Sequence, residues 1–225
     1  MSSVNKNHWL DKDFEGRFSN DSLRLGQFKI EKKLILKYIS EGNLCDVGCS
    51  TGEFVNFLKW KGDTFGMEIN EFAKKKAEKN ISFEKSILNQ SNFFDLVIFR
   101  GTIQHVDQPF YYLEKTFDSL KPGGFVFFLA TPNTNSPLYK VSESLSLIEP
   151  YEKNFFLPSY KLLSSVLKNY NFDIKHVDYP YWQSPYRNFL RDHFLFMVNI
   201  FSKKFVPHPF WKSMMNIVAQ KPYNK

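Results

Sequence analysis

Cysteine is scarce in this 225-residue chain, with only Cys45 and Cys49 present. The two lie four residues apart within one motif, a poor spacing for a disulfide, and no second Cys or His cluster completes a zinc site. Reduced thiols in a reducing compartment are therefore expected. The opening residues, MSSVNKNHWLDKDF, contain no apolar core of a secretory signal. The longest apolar stretch, Phe194 to Phe201, falls far short of the ~20 residues that span a bilayer. Both absences predict a cytoplasmic protein. Clustered carboxylates are missing as well: Asp107 stands alone in its region, so no metal is expected. Internal repeats and low-complexity linkers are also lacking, so a single domain over 1–225 is expected.

Aromatic residues are abundant, with 25 Phe and 11 Tyr, enough for a bulky core or an aromatic-lined site. The net charge of +7 is unevenly placed. Residues 1–130 hold 18 Lys/Arg against 17 Asp/Glu, whereas residues 131–225 hold 12 against 6. A basic C-terminal part can meet phosphates, nucleic acid or anionic lipid, or simply form a soluble lysine-rich surface.

Helical periodicity runs from Leu23 to Ile39, and NLCDV reads as a short buried strand entering a glycine loop. A helix follows over EFVNFLKWK, with Gly62 as its stop, then a strand at Thr64–Glu68 and a helix at Glu71–Lys79. A short strand is expected at Ile81–Glu84. Asp95 opens DLVIF, a continuous apolar run typical of a parallel strand buried on both faces. A helix over Phe110–Leu120, a stop at Lys121-Pro122-Gly123-Gly124 and a strand at Phe125–Ala130 come next. Beyond Asn133 the spacing predicts a helix at Ser159–Asn169, a strand at Phe172–Val177, an apolar helix at Phe189–Phe205 and a last strand at Met214–Gln220. Strands alternating with helices imply a parallel sheet covered on both faces.

The loop Asp46-Val47-Gly48-Cys49-Ser50-Thr51-Gly52, between strand and helix, is a nucleotide-binding turn. Glycines permit a tight turn and bring backbone against a ligand where a Cβ would clash. Glu68 follows twenty residues after Gly48 at the end of the next strand, where an acid can accept hydrogen bonds from ribose hydroxyls. NAD is the natural competitor. A dinucleotide loop brings its second glycine close to a pyrophosphate, whereas Asp46 would repel one and suits a cationic ligand. The loop also lacks the Lys-Ser/Thr pair of a P-loop.

DVGCSTGEF resembles the first motif of class I S-adenosylmethionine-dependent methyltransferases, and GMEINEFAKKKAEKN resembles their ribose-binding strand and following helix. FFDLVIFRGTIQHVDQP and LKPGGFVFFLATPN resemble the fourth and fifth strands of the small-molecule branch related to ubiquinone-type O-methyltransferases. The tail is similar, more loosely, to methyltransferases of bacterial surface-glycan gene clusters. The resemblance implies a Rossmann-like, seven-stranded, mostly parallel sheet with an antiparallel last strand, helices on both faces and aromatic C-terminal additions. Within it, 1–40 would be a helical lid, 41–133 the cofactor-binding core and 134–225 the substrate side. It further implies S-adenosyl-L-methionine as cofactor, with S-adenosyl-L-homocysteine as product. Asp46, Gly48, Cys49, Ser50, Gly52, Glu68 and Ile69 would contact it, Ser86 and Ile87 would flank adenine, and Arg100 would sit near the methionine end. Ser50 departs from a pattern that prefers Gly there, and Ser86 stands where Asp is common.

Methyl transfer to oxygen benefits from a general base titrating near neutrality, and His105, after the fourth strand, is the candidate. His8, His176, His193 and His208 are weaker ones; His8 and Trp9 could belong to a lid. Tyr181, Trp182 and Tyr186 could wall a sugar ring, with Arg187 and Arg191 facing phosphate or carboxylate. The apolar helix 189–205 would cover core, pair with a second subunit in a homodimer, or touch a membrane. The expected acceptor is a small polar molecule, a nucleotide sugar or a capsule or lipopolysaccharide precursor, with no nucleic-acid partner. A lipid-linked quinone-type acceptor and RNA are the alternatives.

Overall fold

The computed structural model describes residues 22–142, 154–201, 206 and 208–223. The chain order is α1 (Ser22–Leu36), β1 (Leu44–Val47), α2 (Glu53–Leu58), β2 (Thr64–Met67), α3 (Glu71–Ala77), β3 (Phe94–Arg100) and a 3-10 turn (Ile103–His105). There follow α4 (Pro109–Ser119), β4 (Leu120–Pro132), α5 (Pro137–Ser142), α6 (Tyr160–Asn169), β5 (Asp173–Asp178), α7 (Phe189–Phe201) and β6 (Met214–Gln220). The six strands form one sheet in the order β2-β1-β3-β4-β6-β5. Strands β2, β1, β3 and β4 are mutually parallel, and β6 runs antiparallel to both β4 and β5.

Period-two alternation along the central strands sorts their side chains onto two covered faces. Cys45, Val47, Val97, Phe99, Val126 and Phe128 share one core with Leu113 of α4 and Leu163 and Leu167 of α6. Leu44, Leu96, Ile98, Phe127 and Leu129 share the other with Phe28 and Ile35 of α1 and Phe54, Val55 and Leu58 of α2. Apolar side chains on both faces explain why these strands read as continuous apolar runs. The amino end of β3 is braced by Asp95, which accepts from the Asn43 N–H at 2.8 Å and pairs with Lys121 at 2.7 Å.

Two elements differ from expectation. The segment Ile81–Glu84 contributes only a single parallel bridge, Phe65 to Ser82, so the expected edge strand is not a full one, and among the described residues six strands stand where seven were anticipated. Lys121–Gly124, read as a stop, lies within β4, which begins directly after α4 at Leu120 and shifts register against β3 between Phe94 and Leu96. Expected lid residues His8 and Trp9 fall outside the described residues, as do 202–205 of the apolar helix.

Candidate active site

From β1 the chain crosses to β2 on one side and later returns to β3 on the other, so β1 and β3 flank a topological switch point. Ligands of open α/β sheets bind outside the carboxyl ends of the strands at such a point. A cavity of about 780 Å³ opens there. Its walls come from the glycine loop, the end of β2, residues 100–107 after β3, the start of α1 and two pieces of the C-terminal part.

The loop's shape follows from its backbone. Gly48 has φ +76°, and a Cβ there would lie 2.5 Å from the Thr102 methyl, so only glycine fits. Ser50 takes φ +52°, a left-handed conformation strained for a residue with a Cβ. This explains why the family pattern prefers Gly at that position. Glu68 ties the loop to the next strand: its Oε2 accepts from the Ser50 N–H at 2.9 Å, and its Oε1 accepts from the N–H groups of Ile69 and Asn70. Glu68 also lines the cavity, where a carboxylate can accept from a ligand hydroxyl.

Asp46 sits buried on β1 at the base of the cavity, and its Oδ1 has no hydrogen-bond partner. Burial pushes its carboxyl from the ordinary value up to about 7; Arg100 opposes the rise, and Glu68 and Glu31 add to it. Arg100 neutralises only part of this field because Glu31, itself fully buried, holds its Nε at 2.6 Å. Gln27 donates to the same carboxylate at 2.9 Å, and the guanidinium lies over the rings of Phe28 and Phe54. Cys49 lines the cavity, but burial, followed by the nearby Asp46 charge, pushes its thiol far up. It is not a nucleophile. Ser50 Oγ, Thr51 Oγ1, Gln104 Oε1 and His208 Nε2 are likewise buried without partners and belong to residues on this wall. Unpaired polar atoms gathered around one cavity mark a site shaped for a polar ligand.

Two imidazoles line the cavity. His105 Nε2 lies 3.2 Å from Gln104 Nε2, which also donates to the Gly101 carbonyl at 2.9 Å. That carbonyl orients the amide nitrogen toward the imidazole Nε2 of His105. His208 is only 3% exposed. Its Nδ1–H donates to the Val206 carbonyl at 2.9 Å, leaving Nε2 as a bare acceptor. Burial lowers its pKa, outweighing the hydrogen bond and the Asp192 charge, so the ring is held neutral.

Among the residues singled out from the sequence, Asp46, Gly48, Cys49, Ser50, Glu68, Ile69, Arg100, His105, Tyr181, Tyr186 and Arg191 line the cavity. Gly52 lies behind the loop, where a Cβ would meet Ile81 at 2.9 Å. Ser86 and Ile87 are not on the wall. With the edge strand reduced to one bridge, the chain turns at Ser86–Asn89, and Ile87 is fully buried in the core. Trp182 and Arg187 pair with each other off the wall, the guanidinium 5.4 Å from the ring centre. Arg191 points both Nε and an Nη at Asp192 Oδ1, at 3.0 and 2.8 Å, which satisfies its charge internally. Sequence reasoning missed Arg24, Gln27, Thr102 and Ser213 and underrated His208. No local motif marks them, because separate elements bring them to the site.

A glycine turn at the switch point, a buried carboxylate beneath it and an acid closing the next strand define a Rossmann-like nucleoside-binding protein. A methyltransferase-domain family profile matches residues 24–177. Similar solved structures include S-adenosylmethionine-dependent methyltransferases from Archaeoglobus fulgidus (18% identity, TM-score 0.62, covering 93% of this chain and 100% of that one) and Thermotoga maritima (21%, 0.59, 91% and 97%). Another comes from Aquifex aeolicus (15%, 0.61, 95% and 100%). No curated protein matches the sequence significantly. The chain belongs to the methyltransferase-domain family and is an S-adenosylmethionine-dependent methyltransferase.

Proposed function

We propose that this enzyme methylates a hydroxyl oxygen of a small polar acceptor bound in the cavity beside His208. The observation that carries this reading is the bare Nε2 of that neutral, tautomer-locked imidazole. A hydroxyl must lose its proton as it is alkylated, whereas an amine reacts as its free base, so a base poised on the wall favours an oxygen acceptor. The cavity volume of about 780 Å³ suits small molecules rather than a nucleic-acid duplex.

S-adenosylmethionine, when bound, would supply an electrophilic methyl on a sulfonium, with the thioether S-adenosylhomocysteine as its product. Asp46 would face its cationic amino-acid part, Gly48 and Ser50 would approach it through backbone, and Glu68 would accept from the ribose. His208 Nε2 would take the proton that the acceptor hydroxyl gives up on methylation. His105, held by Gln104, would contact the acceptor or shape the reacting end and is the second candidate base. Tyr181, Tyr186 and Phe210 offer aromatic surface for a sugar ring. Because Arg191 is neutralised and Arg187 lies off the wall, the neutral sugar of a surface-glycan precursor is favoured over the phosphates of a nucleotide.

Transfer of labelled methyl to cell extract, fractionated into small metabolites, lipid, RNA and protein, tests the reading. The label is expected in small metabolites. His208→Gln should lower kcat by about 10²–10⁴-fold with cofactor affinity retained, while His105→Ala costs about tenfold or less. Label confined to RNA or protein would overturn it, and the reverse order of the two variants would return the base role to His105.

A further inference from the structure

Helix α7 is built inside out. Its buried residues include Asp192 and Asn199, both polar, while an apolar stripe at the helical spacing 190, 194, 197, 201 faces away from the protein. Leu190 is 80% exposed, Phe194 67%, Met197 50% and Phe201 81%. The inward polar groups are satisfied. Asp192 accepts from the Tyr181 hydroxyl at 3.1 Å and the Asn188 N–H at 2.9 Å, and Asn199 exchanges two hydrogen bonds with the Val206 backbone. Phe196 stacks on Phe210 at 4.2 Å and holds the same inner face. The helix is therefore pinned in this orientation, with its apolar stripe outward.

The surroundings of the stripe identify what covers it. Trp182, 54% exposed, stacks on Phe189 at the start of α7 and carries Arg187 over its ring. Trp211, 46% exposed, carries Lys212 over its ring and follows Phe210, the partner of Phe196. Indole with an adjacent cation suits a bilayer interface, where the ring settles at headgroup level and the charge reaches phosphate. Among the described residues of 179–213, Arg187 and Lys212 lie over indole rings and pair with no carboxylate, and the acid Asp192 is buried and already paired with Arg191. A second copy would bring the same cations against these, which like-charge repulsion opposes. Among the described residues no helix is long and apolar enough to cross a membrane, so α7 would lie on the surface, not through it.

We propose that the outward stripe of α7, with Trp182 and Arg187 packed at its start, docks this enzyme on an anionic lipid surface. Because α7 and the segment leading into it also supply Tyr181, Ser184, Tyr186 and Arg191 to the cavity wall, docking brings the acceptor end of the site close to the bilayer. The docking face is independent of which atom is methylated.

Sedimentation of the full chain with vesicles of two parts phosphatidylcholine to one part phosphatidylglycerol tests the proposal, beside pure phosphatidylcholine vesicles and Phe194→Ser/Met197→Ser. Binding to the anionic vesicles is expected at low ionic strength, weaker by about tenfold or more on pure phosphatidylcholine and weakened again by salt. The double variant should lose binding by about tenfold or more with unchanged circular dichroism and unchanged S-adenosylhomocysteine affinity. Failure to bind anionic vesicles at low salt would overturn the proposal. So would equal binding by the variant, or a dimer in light scattering that the variant dissolves. Vesicle binding decides the proposal, with cofactor affinity only a control for folding and methyl transfer not measured, so these outcomes are separable from failure of the functional reading.

Discussion

Replacing Asp46 with Asn tests the electrostatic design of the site directly. Burial raises this carboxyl from 3.8 to about 7. A rise of that size corresponds to about 4 kcal/mol for holding the charge in the folded protein. Below the unfolded pKa both states carry the proton; between there and about 7 the folded state keeps one that the unfolded state has lost. Stability of the cofactor-free protein therefore falls as pH rises through that window and levels off above it. Asn removes the charge but buries an amide whose incomplete pairing costs about 1–3 kcal/mol, leaving a net gain of about 1–3 kcal/mol at about pH 8. At roughly 2–4 °C per kcal/mol, the variant should melt several degrees above the parent at that pH and lose its advantage near pH 4.

Cofactor binding should move the opposite way. If the cationic part of the donor requires the carboxylate, binding below pH 7 releases a proton, and the apparent enthalpy in calorimetry depends on the buffer's ionisation enthalpy. Asp46→Asn should abolish proton release and weaken binding by about tenfold or more. An Asn variant that melts at or below the parent at pH 8, or whose offset ignores pH, would refute the reasoning.

Ser50→Gly should relieve a left-handed backbone worth about 1–2 kcal/mol, less about 0.5–1 kcal/mol of glycine entropy, and a small rise in melting temperature checks it. Glu31→Ala should destabilise by about 3–5 kcal/mol in denaturant titration, because it strands Arg100 beside the core.

The cofactor half of the site was legible because its information is local. The turn Asp46–Gly52 and the acid Glu68 lie within one β-loop-α-β unit, whose backbone demands glycine at Gly48 and whose next strand ends at the acid. Ser50 was visible as a departure from pattern, though only its φ of +52° gives the physical cost. The edge strand at Ile81–Glu84 was overread: its residues suit a strand, but extension depends on pairing with Phe65, and one bridge is all that forms. The adenine assignment to Ser86 and Ile87 rested on that strand, and the two residues lie off the cavity wall.

The acceptor half was hidden because it is assembled from afar. His208 is unremarkable in sequence; its value comes from the Val206 carbonyl that accepts from its Nδ1 and from a fold that brings the ring to the wall of a cavity begun at residue 46. Arg187 and Arg191 look alike as basic residues near aromatics, yet one lies over Trp182 and the other is claimed by Asp192. The central strands and the glycine turn could be read from residue order, because strand periodicity and a tight turn are short-range demands on residue type, and the motif they form carried the resemblance that named the methyl donor. Which histidine reaches the cavity, which arginine is already paired and which face of α7 looks outward emerge from packing, because each depends on side-chain orientation that residue order leaves open.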